Sequence, residues 1–597
     1  MQSHDDTLRQ RVLLAAIGAL AGFFMWFVFE YLPDLVGDER LLMLIGVFPG
    51  ILFGGLLLMV GPLRPVRAAG YACAIAAVSS LLLFWASYRF ADLETFLQSI
   101  HPVIAYGLLV WLPLPFAMAH ETAPRGWRDY EGLFDHAWSN FVRAMAAWIF
   151  VCLFLGVLAV SDVLLKLVGL PYLGDLIGHL WFAMPLSGLV LGLALAVLNE
   201  LDRVVATLRR LALHLFRLLL PPVTVVVFLF VVMLPVQGLG KVFGSFTAAG
   251  TMLAMAIGAI TLITSTVDAR DGDAAGSRLM TIAARVLSLV LPVITAIAVY
   301  AIWLRVVQYG WTPTRLSAAV LAILVFLYSL AYGASALSNT GWRARIRLAN
   351  TVMAVLVVVV SLLWLTPVLN AERIAARSHV LRFKAGKIGV EDLDLWSLGH
   401  EWGNPGLAAL ANMRKISQHE QQAPLAARLA QYDKAKNRWD FSKTQKQSDA
   451  VSRAETLGDI LPVRPEGAEL SGAMLAAIPD PLVRAIIKSC EARLTDGRPR
   501  CVAVVGNFDR EIRRAAAVLF WQPLVNESGS GTRIGVIEEE IEPDMFQYYN
   551  LQSHLGEDLR NRSAARLIAK ILDGGFSFGP ARINALDVDG SQILPRR

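Results

Sequence analysis

Over the first 370 residues, apolar positions neither alternate with polar ones nor scatter. They gather into long runs separated by short polar loops, at about 12–30, 41–62, 68–88, 100–119, 141–161, 178–198, 215–236, 247–267, 282–304, 315–336 and 348–369. A helix that crosses a bilayer needs roughly 20 mostly apolar residues, so the pattern predicts eleven transmembrane helices. The stretch 162–177 is also apolar but is interrupted by Gly169, Pro171 and Gly174, and reads as an interfacial helix or half-helix. Arg9 and Arg11 precede the first run as they would in a signal peptide. That run is too long for one and no small-residue cleavage site follows it, so it reads as an uncleaved span.

The pattern changes beyond residue 370, where charges of both signs appear at ordinary density. Residues 371–450 read as a helical connector, polar from 416 onwards. From 451 to 597 the periods are those of a soluble α/β domain, with helices at 482–493 and 563–572 and strands at 501–506, 533–539 and 581–588, the last turning at Asp589-Gly590. The predicted fold is an all-α polytopic membrane domain (1–370) followed by a soluble C-terminal domain, helical and then α/β.

Composition narrows the class. Of 597 residues, 56% are hydrophobic and 17% are charged, with mean hydropathy +0.53, whereas soluble domains carry about 25% charged residues. A disordered chain, a disulfide-rich module and an ordinary cytosolic enzyme are excluded. The net charge of +6 comes from loop arginines and points to no nucleic-acid partner. Those arginines also orient the chain. Alternate loops hold fourteen basic residues, from Arg9 and Arg11 through Arg343, Arg345 and Arg347, against six in the intervening loops. The positive-inside rule then puts the N-terminus in the cytoplasm and, after eleven crossings, the C-terminal domain on the far side. Trp26, Trp85, Tyr88, Trp181 and Trp303 fall near the outer interface, as aromatic anchors do.

Candidate chemistry is sparse. The middles of the spans hold almost no ionisable groups, which argues against a carboxylate proton relay. His101, His120, His179, His214, Glu30 and Glu200 all sit near span ends. Pro113, Pro115, Pro185, Pro292 and the Pro221-Pro222 pair read as breaks that line a cavity or as ordinary membrane-helix prolines. Arg203, Arg210 and Arg217 recur every seven positions on a basic amphipathic helix leading into a turn at Pro221-Pro222. Such a face binds anionic headgroups or simply enforces topology. The outer turn from Arg305 to Arg315, with Tyr309 and Trp311 between them, reads as a grip for an anionic headgroup or as an aromatic-anchored turn. Cys490 and Cys501 flank a short turn and read as a disulfide pair or as two unpaired thiols in a small core. Cys73 and Cys152 sit in apolar spans as small hydrophobes.

No metal or cofactor is expected. Asp392-Leu393-Asp394 opens a helix and reads as a cap rather than a metal pair. Asn507, Asp509 and Glu511 begin like a calcium loop without its glycine, and Asp587 to Gly590 runs out of chain before a closing glutamate. No nucleophile elbow, phosphate-binding loop or dinucleotide fingerprint is present in the sequence.

Three short stretches carry a likeness. They are Tyr130-Glu131-Gly132-Leu133-Phe134, Tyr309-Gly310-Trp311-Thr312-Pro313-Thr314-Arg315, and the chain leaving the last span, with Asn370-Ala371-Glu372-Arg373, Leu381-Arg382-Phe383-Lys384 and Asp392-Leu393-Asp394. With the layout of spans, they resemble the bacterial membrane proteins grouped as domain of unknown function 4153. The resemblance implies a multi-pass protein of the bacterial inner (plasma) membrane with no assigned activity and supplies no catalytic residues; the loop arginines and the eleven crossings make its C-terminal domain periplasmic.

The expected function is binding or translocation of an amphiphilic or anionic envelope component. Its partners are membrane lipids and an envelope protein docked on the C-terminal domain. Two alternatives remain at this point. One is a membrane-embedded glycosyl transferase with a lipid-linked donor, for which Asp34, Asp38 and Glu39 stand in the first outer loop, although 31–40 is short for such an enzyme. The other is an envelope sensor that relies on a cytoplasmic partner.

Overall fold

The computed structural model describes residues 2–170, 172–237, 246–390, 392–417, 423–441, 456–494, 496–506, 515–522, 531–539, 546–550, 564–577, 586–588 and 591–593. The chain divides into two compact units, Met1–Leu429 and Ala430–Arg597.

Among the described residues of the first unit, eleven helices are long and apolar enough to cross a membrane. They are Thr7–Glu30, Glu39–Met59, Pro65–Ser87, Ile100–Thr122, Tyr130–Leu167, Leu180–Glu200, Asp202–Leu234, Ala249–Val267, Arg278–Tyr309, Pro313–Ala336 and Trp342–Leu365. Each coincides with one predicted run, because in lipid only a closed hydrogen-bonding element with an apolar surface of this length is stable. The stretch 162–177 is divided. Its first part completes the fifth span to Leu167, and the rest holds the seven-residue helix Tyr172–Gly178, too short to cross.

Prolines act differently from place to place. The fourth span breaks at Leu112 into Ile100–Trp111 and Pro113–Thr122, since Pro113 and Pro115 offer no N–H to the carbonyls of Leu109 and Trp111. The turn predicted at Pro221-Pro222 does not form. One helix runs from Asp202 to Gln237 straight through it. The two prolines remove two bonds, but every other backbone group of the segment has no better partner in lipid than the helix itself.

The first and sixth spans meet backbone to backbone. A Cβ placed on Gly18 would lie 2.1 Å from the carbonyl oxygen of Gly188, and one on Gly188 would lie 2.1 Å from that of Gly18. Gly22 and Gly192 repeat the arrangement against Met184 and Leu14. Small residues permit such contact, and in lipid it is packing rather than the hydrophobic effect that holds helices together. Leu14, Met59, Ala72, Met118 and Leu195 form one core among the early spans. Leu220, Leu287, Ile294, Tyr332 and Ile346 anchor another among the late ones. A third gathers Phe90, Phe96, Leu109, Trp364 and Ala371.

The segment read as a connector is itself split between the units. Residues 371–429 fold with the membrane helices. Helix Ala371–Lys384 buries Ala371, Ala375 and His379. At the head of helix Gly403–Ser417, the Asn404 amide donates to the carbonyl of Arg89 at 2.7 Å, and its side chain donates to that of Tyr88 at 3.0 Å. Gly403 has φ +55°, and a Cβ there would lie 2.4 Å from the Arg89 oxygen, so only glycine admits this approach.

The second unit contains a five-stranded sheet in the order β1-β2-β3-β4-β5: Val463–Arg464, Cys501–Gly506, Ala515–Gln522, Gly531–Glu539 and Phe546–Asn550. β1 and β2 are parallel and the other pairs antiparallel. Residues alternate between two covered faces. Cys501, Ala503, Val518 and Phe520 join a core with Ile486 and Cys490 of helix Asp480–Glu491. Val502, Val504, Ala517 and Leu519 join one with Ile568 and Leu572 of helix Ala564–Leu572. A two-stranded hairpin pairs Leu586–Val588 with Ser591–Ile593. The calcium-like stretch at 507–511 and the Asp589-Gly590 turn lie outside the described residues.

Candidate ligand sites

The three stretches that carry the family likeness act as fasteners. The Tyr130 hydroxyl accepts from Asn350 Nδ2 at 2.8 Å, and Asn350 Oδ1 accepts from the hydroxyls of Tyr328 and Tyr332 at 3.0 and 2.5 Å. This ties the entry of the fifth span to the tenth and eleventh. Glu131 pairs with Arg270, and Phe134 is buried against Leu213 and Ala269.

In the turn from Arg305 to Arg315, the guanidinium carbons of these two arginines lie 5.7 and 5.4 Å from the centre of the Tyr309 ring, within cation–π range. Arg315 Nη1 donates to the Gly310 carbonyl at 3.0 Å, and Thr312 Oγ1 accepts from the Arg315 amide at 3.2 Å. Gly310 has φ +79°, and Arg382 closes the turn by donating to the Gln308 carbonyl at 3.0 Å. Trp311 packs inward against two of the cores. None of Arg305, Tyr309, Trp311 and Arg315 lines either of the cavities described below.

The basic helix is not a single headgroup face. Arg203 is exposed, and Arg210 is exposed with Nε donating to the Ala206 carbonyl at 3.3 Å. Arg217 turns inward, forms a buried ion pair with Asp268, and donates through Nε to the Ser265 carbonyl at 2.8 Å. Arg347 donates to the carbonyls of Val267 and Asp268, both at 2.9 Å. The two arginines thus satisfy the free carbonyl end of the eighth span. A seven-residue repeat drifts by about 20° per heptad on an α-helix, so the third arginine need not share the face of the first.

At the opposite ends of the spans lies a buried charge cluster that the sequence did not reveal. Arg89 and Glu372 approach to 3.7 Å with side chains 7% and 1% exposed, and His101 Nε2 lies 3.3 Å from Glu372 Oε1. Arg89 Nη2 donates to the carbonyls of Trp364 and Thr366, both at 2.7 Å. Trp364 Nε1 donates to His101 Nδ1 at 3.1 Å. An indole can only donate, so His101 Nδ1 accepts and its proton sits on Nε2, on the side of the carboxylate, without a hydrogen bond to either Glu372 oxygen. Burial pushes the Glu372 carboxyl up, but His101, the local backbone and Arg89 outweigh it and hold the group below the usual glutamate range.

Two large cavities are formed by described residues of the first unit. The larger, about 1480 Å³, runs among spans one, two, four, five and six and is walled by Phe29, Gly50, Gly54, Trp111, Trp148 and Met184 among others. Glu39 is the one charged side chain on its wall. The smaller, about 720 Å³, is formed between helices Ala371–Lys384 and Gly403–Ser417 over the ends of the third and eleventh spans. Arg89, Arg373, Arg377 and Lys384 line it, with Asn404 and Asn412, and no carboxylate does.

Two of the acidic candidates serve as caps. Asp38 accepts from the amides of Arg40 and Leu41 at 2.8 and 3.3 Å at the head of the second span. Asp394 accepts from the Ser397 amide at 3.1 Å and from its hydroxyl at 2.7 Å. Among the described residues, no cluster of three His, Cys, Asp or Glu side chains is placed to hold a metal. Cys490 and Cys501 are joined in a disulfide with Cα atoms 5.0 Å apart, linking helix Asp480–Glu491 to β2. In the chain-entropy model a loop of this size is worth roughly 3 kcal/mol. Cys73 and Cys152 are free and exposed on span surfaces.

A family model described as "Domain of unknown function (DUF4153)" matches residues 52–413. No curated protein and no solved structure matches the chain.

Proposed function

The chain belongs to the family of domain of unknown function 4153, and from that premise we propose that it binds or moves an amphiphilic component of the bacterial envelope, whose apolar part lies in the larger cavity. The observation that carries this reading is the cavity itself. Drug-sized ligands occupy about 300–1,000 Å³, and this space of about 1480 Å³ exceeds that range with a single charged wall residue. An apolar space of that size left empty forfeits dispersion contacts along its whole lining, and a polar solute would lose its hydration there without replacement. A hydrocarbon chain meets neither objection.

Gly50 and Gly54 provide the test, because both line the cavity and a Cβ on either meets nothing within 4 Å. Gly50→Leu and Gly54→Leu should fold as well as the wild type or better, since glycine in a helix interior costs about 0.8–1.0 kcal/mol relative to good helix formers. The same variants should carry several-fold less co-purified lipid by native mass spectrometry. An unchanged lipid load in well-folded variants would sink the reading.

The proposal includes an inner-membrane location, with the N-terminus in the cytoplasm and the second unit in the periplasm, where it serves as the docking module for an envelope protein. The loop arginines support the orientation, and the Cys490–Cys501 bond suits an oxidising compartment. Alkaline phosphatase fused after Arg382 should be active, and a fusion after Arg347 should be silent. The reverse pattern would overturn the orientation.

A further inference from the structure

We propose that the smaller cavity is a binding site for a phosphate-bearing group, presented either by a lipid headgroup or by a soluble phosphate compound. The inference concerns a different set of residues from the apolar cavity and stands or falls separately from it.

Charge balance is the first argument. Six arginines elsewhere in this unit pair with carboxylates: Arg11 with Glu200, Arg67 with Glu121, Arg143 with Asp202, Arg209 with Asp135, Arg217 with Asp268 and Arg270 with Glu131. Others, such as Arg203 and Arg210, are exposed along a helix surface. The smaller cavity instead gathers its cations in one concave space. Its wall presents Arg89, Arg373, Arg377 and Lys384 without any carboxylate. Glu372 stands behind the wall and answers Arg89 at 3.7 Å, which leaves the other three cations unbalanced among the described residues. Three cations in one concave space repel one another unless an anion joins them.

Geometry is the second argument. Arg373 and Arg377 are four residues apart and share one face of helix Ala371–Lys384. Asn404 and Asn412 stand on the facing helix with Ala408 between them, whose small side chain keeps the space open. At the floor, Arg89 is 8% exposed and fixed by the two carbonyls that its Nη2 reaches, while its Nη1 faces Glu372 Oε2 at 3.7 Å. Two guanidinium forks, an ammonium and an amide, above a rigid buried guanidinium, make a donor set for a tetrahedral oxyanion. The volume of about 720 Å³ admits a phosphate with the group that bears it.

The charges also stand on an unexpected side. On the orientation proposed above, Arg373, Arg377 and Lys384 follow the last span on the face whose loops are poor in basic residues. Basic residues close to a span end oppose export, so a ligand gives a reason for their presence there.

The experiment uses the full chain, purified in detergent for soluble probes and in nanodiscs for lipid ones. Inorganic pyrophosphate should raise the melting temperature where chloride at matched ionic strength does not if the source is soluble. Phosphatidylglycerol should do so relative to phosphatidylcholine if the source is a headgroup. The double variant Arg373→Gln/Arg377→Gln should weaken the effective probe by about tenfold or more, a factor that corresponds to one lost charge-assisted contact. Asn412→Asp, an exposed change that places a carboxylate in the cavity, should weaken it as well. Gly50→Leu should leave it intact, which separates this site from the apolar cavity. The proposal is overturned if neither probe acts on the wild type, or if the folded Arg373/Arg377 and Asn412 variants respond as the wild type does.

Discussion

Glu372→Ala is expected to destabilise the membrane unit by about 3–5 kcal/mol, the usual cost of stripping one partner from a buried ion pair. The carboxylate is 1% exposed and faces an arginine whose side chain is 7% exposed. Arg89 keeps the carbonyls of Trp364 and Thr366, but those oxygens carry no formal charge to offset its own. The guanidinium cannot escape by losing its proton, because arginine stays charged at any working pH.

Glu372→Gln should fall between the alanine variant and the wild type, since the amide restores volume and polarity without charge. The double variant Arg89→Met/Glu372→Leu should recover much of the loss, as apolar replacements of whole buried pairs commonly do. Thermal unfolding in detergent measures all three. Because the folded carboxyl lies below its ordinary value, its contribution is complete above the usual glutamate range and disappears as pH falls through the lower folded value. The pH dependence in acid should therefore flatten in Glu372→Gln. Equal losses in all variants, with no recovery in the double, would remove the ion pair from the account.

How this cluster was missed shows where sequence reading stops. The eleven spans were legible because bilayer thickness imposes a one-dimensional rule on run length. The cap at Asp394 was legible because it acts on residues three positions away. Arg89, His101 and Glu372 come from three separate loops and span ends, and each alone reads as an ordinary interfacial residue. Nothing in periodicity couples them.

The same limit explains Arg217. Its spacing with Arg203 and Arg210 suggested a common outward face, whereas the free end of the eighth span at Asp268 draws it inward. In the second unit, the strand Ala515–Gln522 was missed where the equally covered Cys501–Gly506 was not, because it opens on three alanines, which favour helix; Ala516 and Val518 lie in one core and Ala517 and Leu519 in the other. An apolar run of that kind has no period-2 signature.

The candidate sites divide along the same line. The turn from Arg305 to Arg315 is conspicuous because its unusual residues are contiguous, and its arginines reach Tyr309 and a backbone carbonyl. The smaller cavity assembles cations from the end of the third span and from a helix beyond the eleventh, facing a second helix that follows it. Only the fold brings them together.

Gly188→Leu is the other change expected to be severe, and it tests what holds the early spans together. The obstacle to a side chain at Gly188 is not another side chain that can rotate away. It is the Gly18 carbonyl, 2.1 Å from the position a Cβ would take, with the Gly22 amide nitrogen at 3.0 Å. Overpacking that side chains can absorb costs about 1–3 kcal/mol. Here the two helix backbones have to part, and in lipid their attraction is close packing alone, so the loss should reach or exceed the top of that range.

Gly188→Ala should show most of the effect, because the clash begins at Cβ. Leucine at Gly107, where a Cβ meets nothing within 4 Å, should leave the melting temperature within a few degrees of wild type. Gly22 and Gly188 also stand on the wall of the larger cavity, so separation of the two helices should release bound lipid together with stability. Gly50→Leu should release lipid while stability holds. If Gly188→Leu melts with the wild type, the backbone contact between the first and sixth spans is not what closes this side of the cavity.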